Sequence, residues 1–170
     1  MIRRRLGALV LTLVLGLAGG AVAAVATPAP AQAGTLVCGN RYFLRAASTN
    51  TYISVDPGTG LVYADITWKG WWQQFRVCRE TSWDKRHFVL KSEAASAGFG
   101  ADSFLRPVAN DFAVFPHTLE NYDIFMWDGG NPYWGLVHAS TGRYLSVSSP
   151  LSVYPGPANL GWGQALYRES

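Results

Sequence analysis

Ala47-Ser48-Thr49-Asn50-Thr51-Tyr52-Ile53-Ser54-Val55 returns as Ala139-Ser140-Thr141-Gly142-Arg143-Tyr144-Leu145-Ser146-Val147, with six of nine positions identical at a constant offset of 92. Further on, Gly70-Trp71, Gln73 and Phe75 return as Gly161-Trp162, Gln164 and Leu166, now at an offset of 91. Val62-Tyr63 and Val153-Tyr154 keep that second offset, so one deletion in a turn accounts for the change. An offset of 92 is twice 46, which predicts a third copy midway. Leu44, Leu90 and Leu136 are spaced by 46. Phe99 stands near the Tyr52/Tyr144 position, Val114-Phe115 repeats Val62-Tyr63, and Asp123-Ile124-Phe125 replaces the Gln-x-Phe ending. Gly34 to Ser170 is 137 residues, the length of three such units, with boundaries near 34–82, 83–129 and 130–170.

Within a copy the pattern is strand-like. Tyr42-Phe43-Leu44, Tyr52–Val55, Leu61-Val62-Tyr63 and Gln74–Val77 are short, β-branched or aromatic, and separated by turn residues such as Asp56-Pro57-Gly58-Thr59-Gly60. Asp128-Gly129-Gly130-Asn131-Pro132 punctuates the join between the second and third copies. No stretch after Ala33 keeps helical apolar spacing for three turns, so no significant helix is expected. Four short strands in each of three copies make an all-β chain of about twelve strands. The fold predicted is a β-trefoil: a closed threefold barrel with a hairpin cap.

The run Thr141-Gly142-Arg143-Tyr144-Leu145-Ser146 resembles the fascin-like β-trefoil repeat, in which a Tyr-Leu pair follows a glycine-containing turn. The Gln73-x-Phe75 and Gln164-x-Leu166 endings are similar to the Gln-x-Trp ending of ricin-type lectin repeats, with Trp replaced. Both resemblances imply the β-trefoil fold and carry little information about function. No family binding residue carries over, because the aspartate that ricin-type sites place after the second strand is missing. Only Asp56, in the first copy, lies nearby.

Ahead of the repeats, Arg3-Arg4-Arg5 precedes an uncharged apolar run from Leu6 to Leu17, and Ala31-Gln32-Ala33 forms an A-x-A site. This reads as a cleaved signal peptide over 1–33, with Ala24-Val25-Ala26 as a second possible cleavage site, and it implies a secreted, extracellular protein. A transmembrane anchor needs roughly 20 apolar residues. Gly16, Gly19, Gly20 and the Ala/Pro-rich stretch after them favour cleavage over an anchor. Of the 14 basic and 11 acidic side chains, three arginines leave with the signal, so the remainder is neutral and no nucleic-acid partner is implied. Export also points Cys38 and Cys78 toward a disulfide. A metal site is the rival, but no His or further Cys lies at ligand spacing, and no cofactor is expected.

Repetition separates scaffold from candidate site. Tyr52/Tyr144, Tyr63/Tyr154, Trp71/Trp162 and Gln73/Gln164 occur twice and read as structural, the Trp pair capping the barrel and the Gln pair satisfying buried backbone groups. Trp68 and Trp72 occur once, in Asp65-Ile66-Thr67-Trp68-Lys69-Gly70-Trp71-Trp72. If Trp71 faces inward, a period of two sends Trp72 outward. Asp65, Trp68, Lys69 and Trp72 are therefore the candidate ligand-binding residues. Flat aromatic faces pack on sugar rings while a carboxylate accepts their hydroxyls. The bland alternative is that both Trp cover the end of the barrel. Trp83 reads as a partner anchor or as packing on the two cysteines, and Trp127 and Trp134 as packing. His138, matching Ala46 and Ser92, is expected at a rim or the surface. His87, His117 and His138 form no nucleophile or metal motif, so no enzyme activity is expected. The resulting expectation is a monomeric, lectin-like module whose partner is a glycan. The alternative is a secreted or cell-surface protein, bound as a protease inhibitor binds through a protruding loop such as Asp102 to Glu120.

Overall fold

The computed structural model describes residues 35–116, 123–148 and 152–170. The signal segment, His117 and the end of the Asp102–Glu120 segment lie outside the described residues. In the first copy the strands are β1 (Leu36–Ala46), β2 (Tyr52–Val55), β3 (Val62–Ile66) and β4 (Gln74–Glu80). The second copy has β5 (His87–Ser92), a helix α1 (Glu93–Phe99), β6 (Ser103–Val108), β7 (Asp111–Pro116) and β8 (Phe125–Gly130). The third has β9 (Tyr133–His138), β10 (Leu145–Val147), β11 (Val153–Pro155) and β12 (Leu166–Glu169).

Antiparallel pairing runs β1–β4–β5–β8–β9–β12 and returns to β1, closing a six-stranded barrel. The hairpins β2–β3, β6–β7 and β10–β11 cover one end of it. The bridges Leu61↔Ala113 and Tyr63↔Ser152 join these hairpins to one another. A closed barrel leaves no exposed barrel edge for another chain to pair with. The chain is a β-trefoil.

Threefold equivalence is exact enough to read in the core. Leu44, Leu90 and Leu136 are fully buried, as are Ile53, Leu105 and Leu145. Val62, Phe112 and Val153 follow in the cap, and Phe75, Phe125 and Leu166 in the closing strands, all in one cluster. Arg106 pairs with Ala113 as Ser54 pairs with Tyr63 and Ser146 with Tyr154, so Phe112-Ala113 and not Val114-Phe115 repeats Val62-Tyr63. Strand alternation explains why single positions two apart supply this core. The same register also corrects the reading of the second copy. Arg45 pairs with Tyr52, Lys91 with Phe104, and Val137 with Tyr144, so Phe104 and not Phe99 is the third member of the Tyr52/Tyr144 set.

The displacement comes from α1, a seven-residue helix in a chain otherwise built of strands, as expected for an all-β fold. Its seven residues are too few to show three turns of periodicity, but its ends carry local signals. The Ser92 hydroxyl accepts a hydrogen bond from the Ala95 N–H, and Gly100 closes the C-terminus at φ 70°. In the first and third copies a tight turn stands in its place. Asn50 and Gly142 occupy it at φ 59° and 65°, a left-handed region open to Gly and tolerated by Asn.

His138 is buried rather than at a rim, like Ala46 and Ser92 at the equivalent positions. Its ring nitrogens face two hydroxyls, with Thr141 Oγ1 2.9 Å from Nδ1 and Ser140 Oγ 3.4 Å from Nε2. The disulfide is present: Cys38 and Cys78 face each other across β1 and β4, with Cα atoms 3.9 Å apart. Trp83, Phe104 and Val89 pack around it, which assigns Trp83 to packing. Trp127 stacks on Phe88 with ring centroids 5.0 Å apart and meets Trp134 edge-on, so both pack as expected.

Candidate functional site

The repeated Gln residues organise the chain where the cap feeds back into the barrel. A single 3-10 turn, Trp71–Gln73 in the first copy and Trp162–Gln164 in the third, precedes the closing strand. Gln73 Nε2 donates to Ser54 Oγ at 2.8 Å and Gln164 Nε2 to Ser146 Oγ at 2.9 Å. The Gly161 N–H donates to Gln164 Oε1 at 3.0 Å, so this Gln does satisfy a backbone group. A Cβ on Gly161 would lie 2.8 Å from that same oxygen, which explains the glycine before each repeated Trp. In the second copy Arg106 and Asp123 take over the Ser and Gln roles, with contacts of 3.0 and 3.3 Å.

This arrangement overturns the capping role expected of the repeated Trp pair. Trp71 is 45% exposed and Trp162 57% exposed, because the turn projects them outward. Each has one surface neighbour at an equivalent strand position, the Arg41 guanidinium for Trp71 and the Tyr133 ring for Trp162. With Trp71 outward, Trp72 is the half-buried member of the pair. It packs on the main core and lies against Gly98 of α1.

The four candidate residues divide into two groups. Asp65 and Trp72 line one groove of about 210 Å³, together with Ser54, Asp56, Tyr63 and Gln73. Tyr63 and Asp65 alternate on the outward face of β3, and both are exposed. Asp56 is committed to the β2–β3 turn, where its Oδ1 accepts from the Thr59 N–H, the Thr59 hydroxyl and the Gly58 N–H. The Thr59 backbone bond, helped by the other two, holds this carboxyl below its ordinary range. Asp65 has no such bonds among the described residues, so its two oxygens face solvent at the groove. Tyr63 recurs as Tyr154 and so reads as scaffold in the sequence, yet it lines this groove.

Trp68 and Lys69 lie outside the groove lining. Trp68 is 66% exposed, the most open large apolar side chain among the described residues. Lys69 turns to the barrel wall, where Nζ sits 3.2 Å from Glu169 Oε2 and 4.9 Å from the centre of the Phe43 ring. Glu169 also accepts from Arg45 Nε at 2.6 Å and from the Tyr52 hydroxyl at 2.8 Å. Burial raises the Glu169 pKa, but the bonds from Arg45, Tyr52 and Lys69 outweigh it and leave the carboxyl below its usual value. In the third copy Gly156 stands at the Asp65 position and Asn159 and Leu160 at those of Trp68 and Lys69, so the candidate side chains are not repeated there.

No family model matches this sequence, and no curated protein matches it. Among solved structures the chain is similar to a designed 3-fold symmetric protein, ThreeFoil, with a TM-score of 0.63 and 16% identity over 76% of this chain and 98% of that one. At that identity the likeness concerns the fold alone.

Proposed function

We propose that this chain is an exported, non-catalytic binding module that takes carbohydrate in the groove of its first copy. The observation that carries the reading is Asp65, an exposed carboxylate with no partner among the described residues, set between Tyr63 and Trp72 in one groove. A carboxylate accepts two hydroxyls of a sugar, and the neighbouring rings offer flat apolar area to its C–H face. Trp68 stands at the margin as a second platform, and Lys69 serves the site only by anchoring the loop to Glu169. A disulfide is in keeping with export, and no described helix is long and apolar enough to cross a membrane.

An open groove of this kind binds weakly, with a Kd roughly between 1 mM and 1 μM, because polar desolvation offsets most of the gain. The test is a glycan array followed by calorimetry on the best ligand. Asp65→Asn is expected to abolish binding, Trp68→Ala to weaken it several-fold, and Trp162→Ala to leave it unchanged. Binding that survives Asp65→Asn overturns the groove assignment. A protein partner is the second reading, favoured by the exposure of Trp68, since exposed Trp anchors are frequent at interfaces. A panel of secreted proteases and cell-surface proteins, probed with Trp68→Ala as the control, separates the two.

A further inference from the structure

The barrel end opposite the cap holds a second recess of about 250 Å³, small even for a ligand pocket. It owes its shape to a β-bulge. Cys38 pairs with Cys78 and Arg41 with Arg76, so Gly39 and Asn40 together oppose Val77 alone. Such a bulge bends its strand and re-aims the side chains beside it. The disulfide fixes the bulge at its start, and Val37 and Arg79, paired just beyond, complete that rim.

The lining carries two cations and no carboxylate. Arg79 and Arg168 both face the recess, and among the described residues neither makes an ion pair. Arg168 is held in place by rings instead. Its guanidinium lies 4.7 Å from the centre of Trp134, 5.1 Å from Tyr42 and 5.4 Å from Trp127. Arg79 lies 5.9 Å from Phe88. Ring faces orient a guanidinium but do not neutralise it, and its in-plane N–H donors remain for an acceptor. A third donor belongs to the same wall. Trp127 lines the recess, and its indole Nε1 is buried with no acceptor among the described residues. A buried donor without a partner is destabilising by about 1–3 kcal/mol, and such groups are uncommon in native proteins.

We infer that this barrel mouth is a binding site for a small organic carboxylate: the carboxylate bridges Arg79 and Arg168, and an apolar body rests on Tyr42 and Val77. Guanidiniums are opposite in sign to a carboxylate and match its planar, two-oxygen geometry, while the recess supplies more apolar than polar wall. This site is separate from the first-copy groove, which lies on the cap, so each stands or falls alone.

The experiment uses the mature protein labelled with nitrogen-15, following the indole N–H resonances of its seven tryptophans. Trp127→Phe identifies the relevant peak by its loss. Titration with benzoate is expected to move that peak saturably and leave the exposed Trp68 peak still. Arg79→Gln and Arg168→Gln are each expected to weaken the response roughly tenfold, as loss of one charge-assisted pair does. Should Arg168→Gln unfold the barrel, Arg79→Gln carries the test, because Arg79 is exposed and has one ring beside it, Phe88, where Arg168 has three. Benzyl alcohol tests the apolar body without the charge, and inorganic sulfate tests the charge without the body. A still Trp127 peak overturns the inference. So does an equal response to benzyl alcohol, an equal response to sulfate, or a benzoate response that Arg79→Gln leaves intact.

Discussion

Each cap hairpin touches a closing strand of the neighbouring copy at one equivalent pair of positions, and the three seams are built from different chemistry. Tyr52 of the first copy donates to Glu169 on β12, and Tyr144 of the third donates to Asp128 on β8. In the second copy Phe104 packs instead on Cys78 and the disulfide. All three aromatic rings are buried. The fold therefore demands a ring at this place and leaves its contact open. Two copies use a hydroxyl bonded to a carboxylate, and one uses an apolar ring on a covalent bridge. The second copy departs in the same direction elsewhere, with Arg106 and Asp123 where the others have Ser and Gln. A copy that gained a helix kept its place in the barrel by exchanging light polar contacts for stronger ones.

Removing the strong contacts is the most direct way to break this comparison. Cys38→Ser with Cys78→Ser opens a loop with a separation of 40 residues, and the chain-entropy relation gives a loss of about 4 kcal/mol, read by urea denaturation. If the Phe104 seam depends no more on the first-copy bridge than the other seams do on their Tyr–acid pairs, the loss will be nearer about 1 kcal/mol. Arg106→Ala comes next. Asp123 is 0% exposed and would lose its two-pronged contact with the Arg106 guanidinium, which destabilises by about 3 kcal/mol. Installing the sister pair, Arg106→Ser with Asp123→Gln, is expected to recover most of that loss. Failure of the double variant to recover would show that the second copy has diverged too far for its sisters' hydrogen bond.

Much of the trefoil was legible because its core positions repeat. Leu44, Leu90 and Leu136 keep one spacing and are all fully buried, whereas Val114-Phe115 falls two residues past the true counterpart of Val62-Tyr63, which is Phe112-Ala113. Phe99 was misplaced because a seven-residue helix leaves no periodicity, while its cap residues Ser92 and Gly100 are too common to mark it alone. Repetition also misled at the surface. Trp71 and Trp162 recur yet project into solvent, since what the turn requires is the glycine before them and the Gln after them. The converse error touched Tyr63, a repeated residue that lines the groove. His138 shows a third limit, because its burial depends on hydroxyls supplied by its own following turn. The barrel-mouth recess was not legible at all. Its parts come from β1, β4, β8 and β12, and only pairing brings them together.

Exchanging rings across the seams sharpens the comparison further. Phe104→Tyr puts a hydroxyl against the disulfide, where the cluster offers apolar neighbours, and is expected to destabilise by about 2 kcal/mol. Tyr52→Phe should lose only about 1 kcal/mol, the net value of one hydrogen bond. At high pH the Tyr–acid seams should open before the apolar one. Burial, together with the bond to Asp128, pushes the Tyr144 hydroxyl up to about 12. The native state thus holds this proton where the unfolded chain gives it up, so its contribution is complete below pH 10 and fades toward about 12. Thermal unfolding of Tyr144→Phe should be flatter over that window than that of the native sequence.

The smallest effect is expected at the acid side of the first seam. Glu169 is held below its ordinary pKa by Arg45, Tyr52 and Lys69 against the opposing pull of burial. The folded protein therefore keeps it ionised at a pH where the unfolded chain has begun to take up protons. Its contribution is present above the usual glutamate value of 4.5 and is lost as pH falls through the lower folded value. Part of the gain is screened, because Arg45 and Lys69 remain partly open to water, and a pair of this kind is worth about 1 kcal/mol or less. Glu169→Gln should lower the midpoint of urea unfolding slightly at pH 7 and leave it nearly unchanged at pH 3, so that the two curves converge on acidification. Added salt should narrow the gap at pH 7 as well, since the Lys69 arm is the more exposed of the two. A gap that persists at pH 3 would mean that Glu169 acts through packing, and the Tyr52 seam would then resemble the Phe104 seam in everything but its hydroxyl.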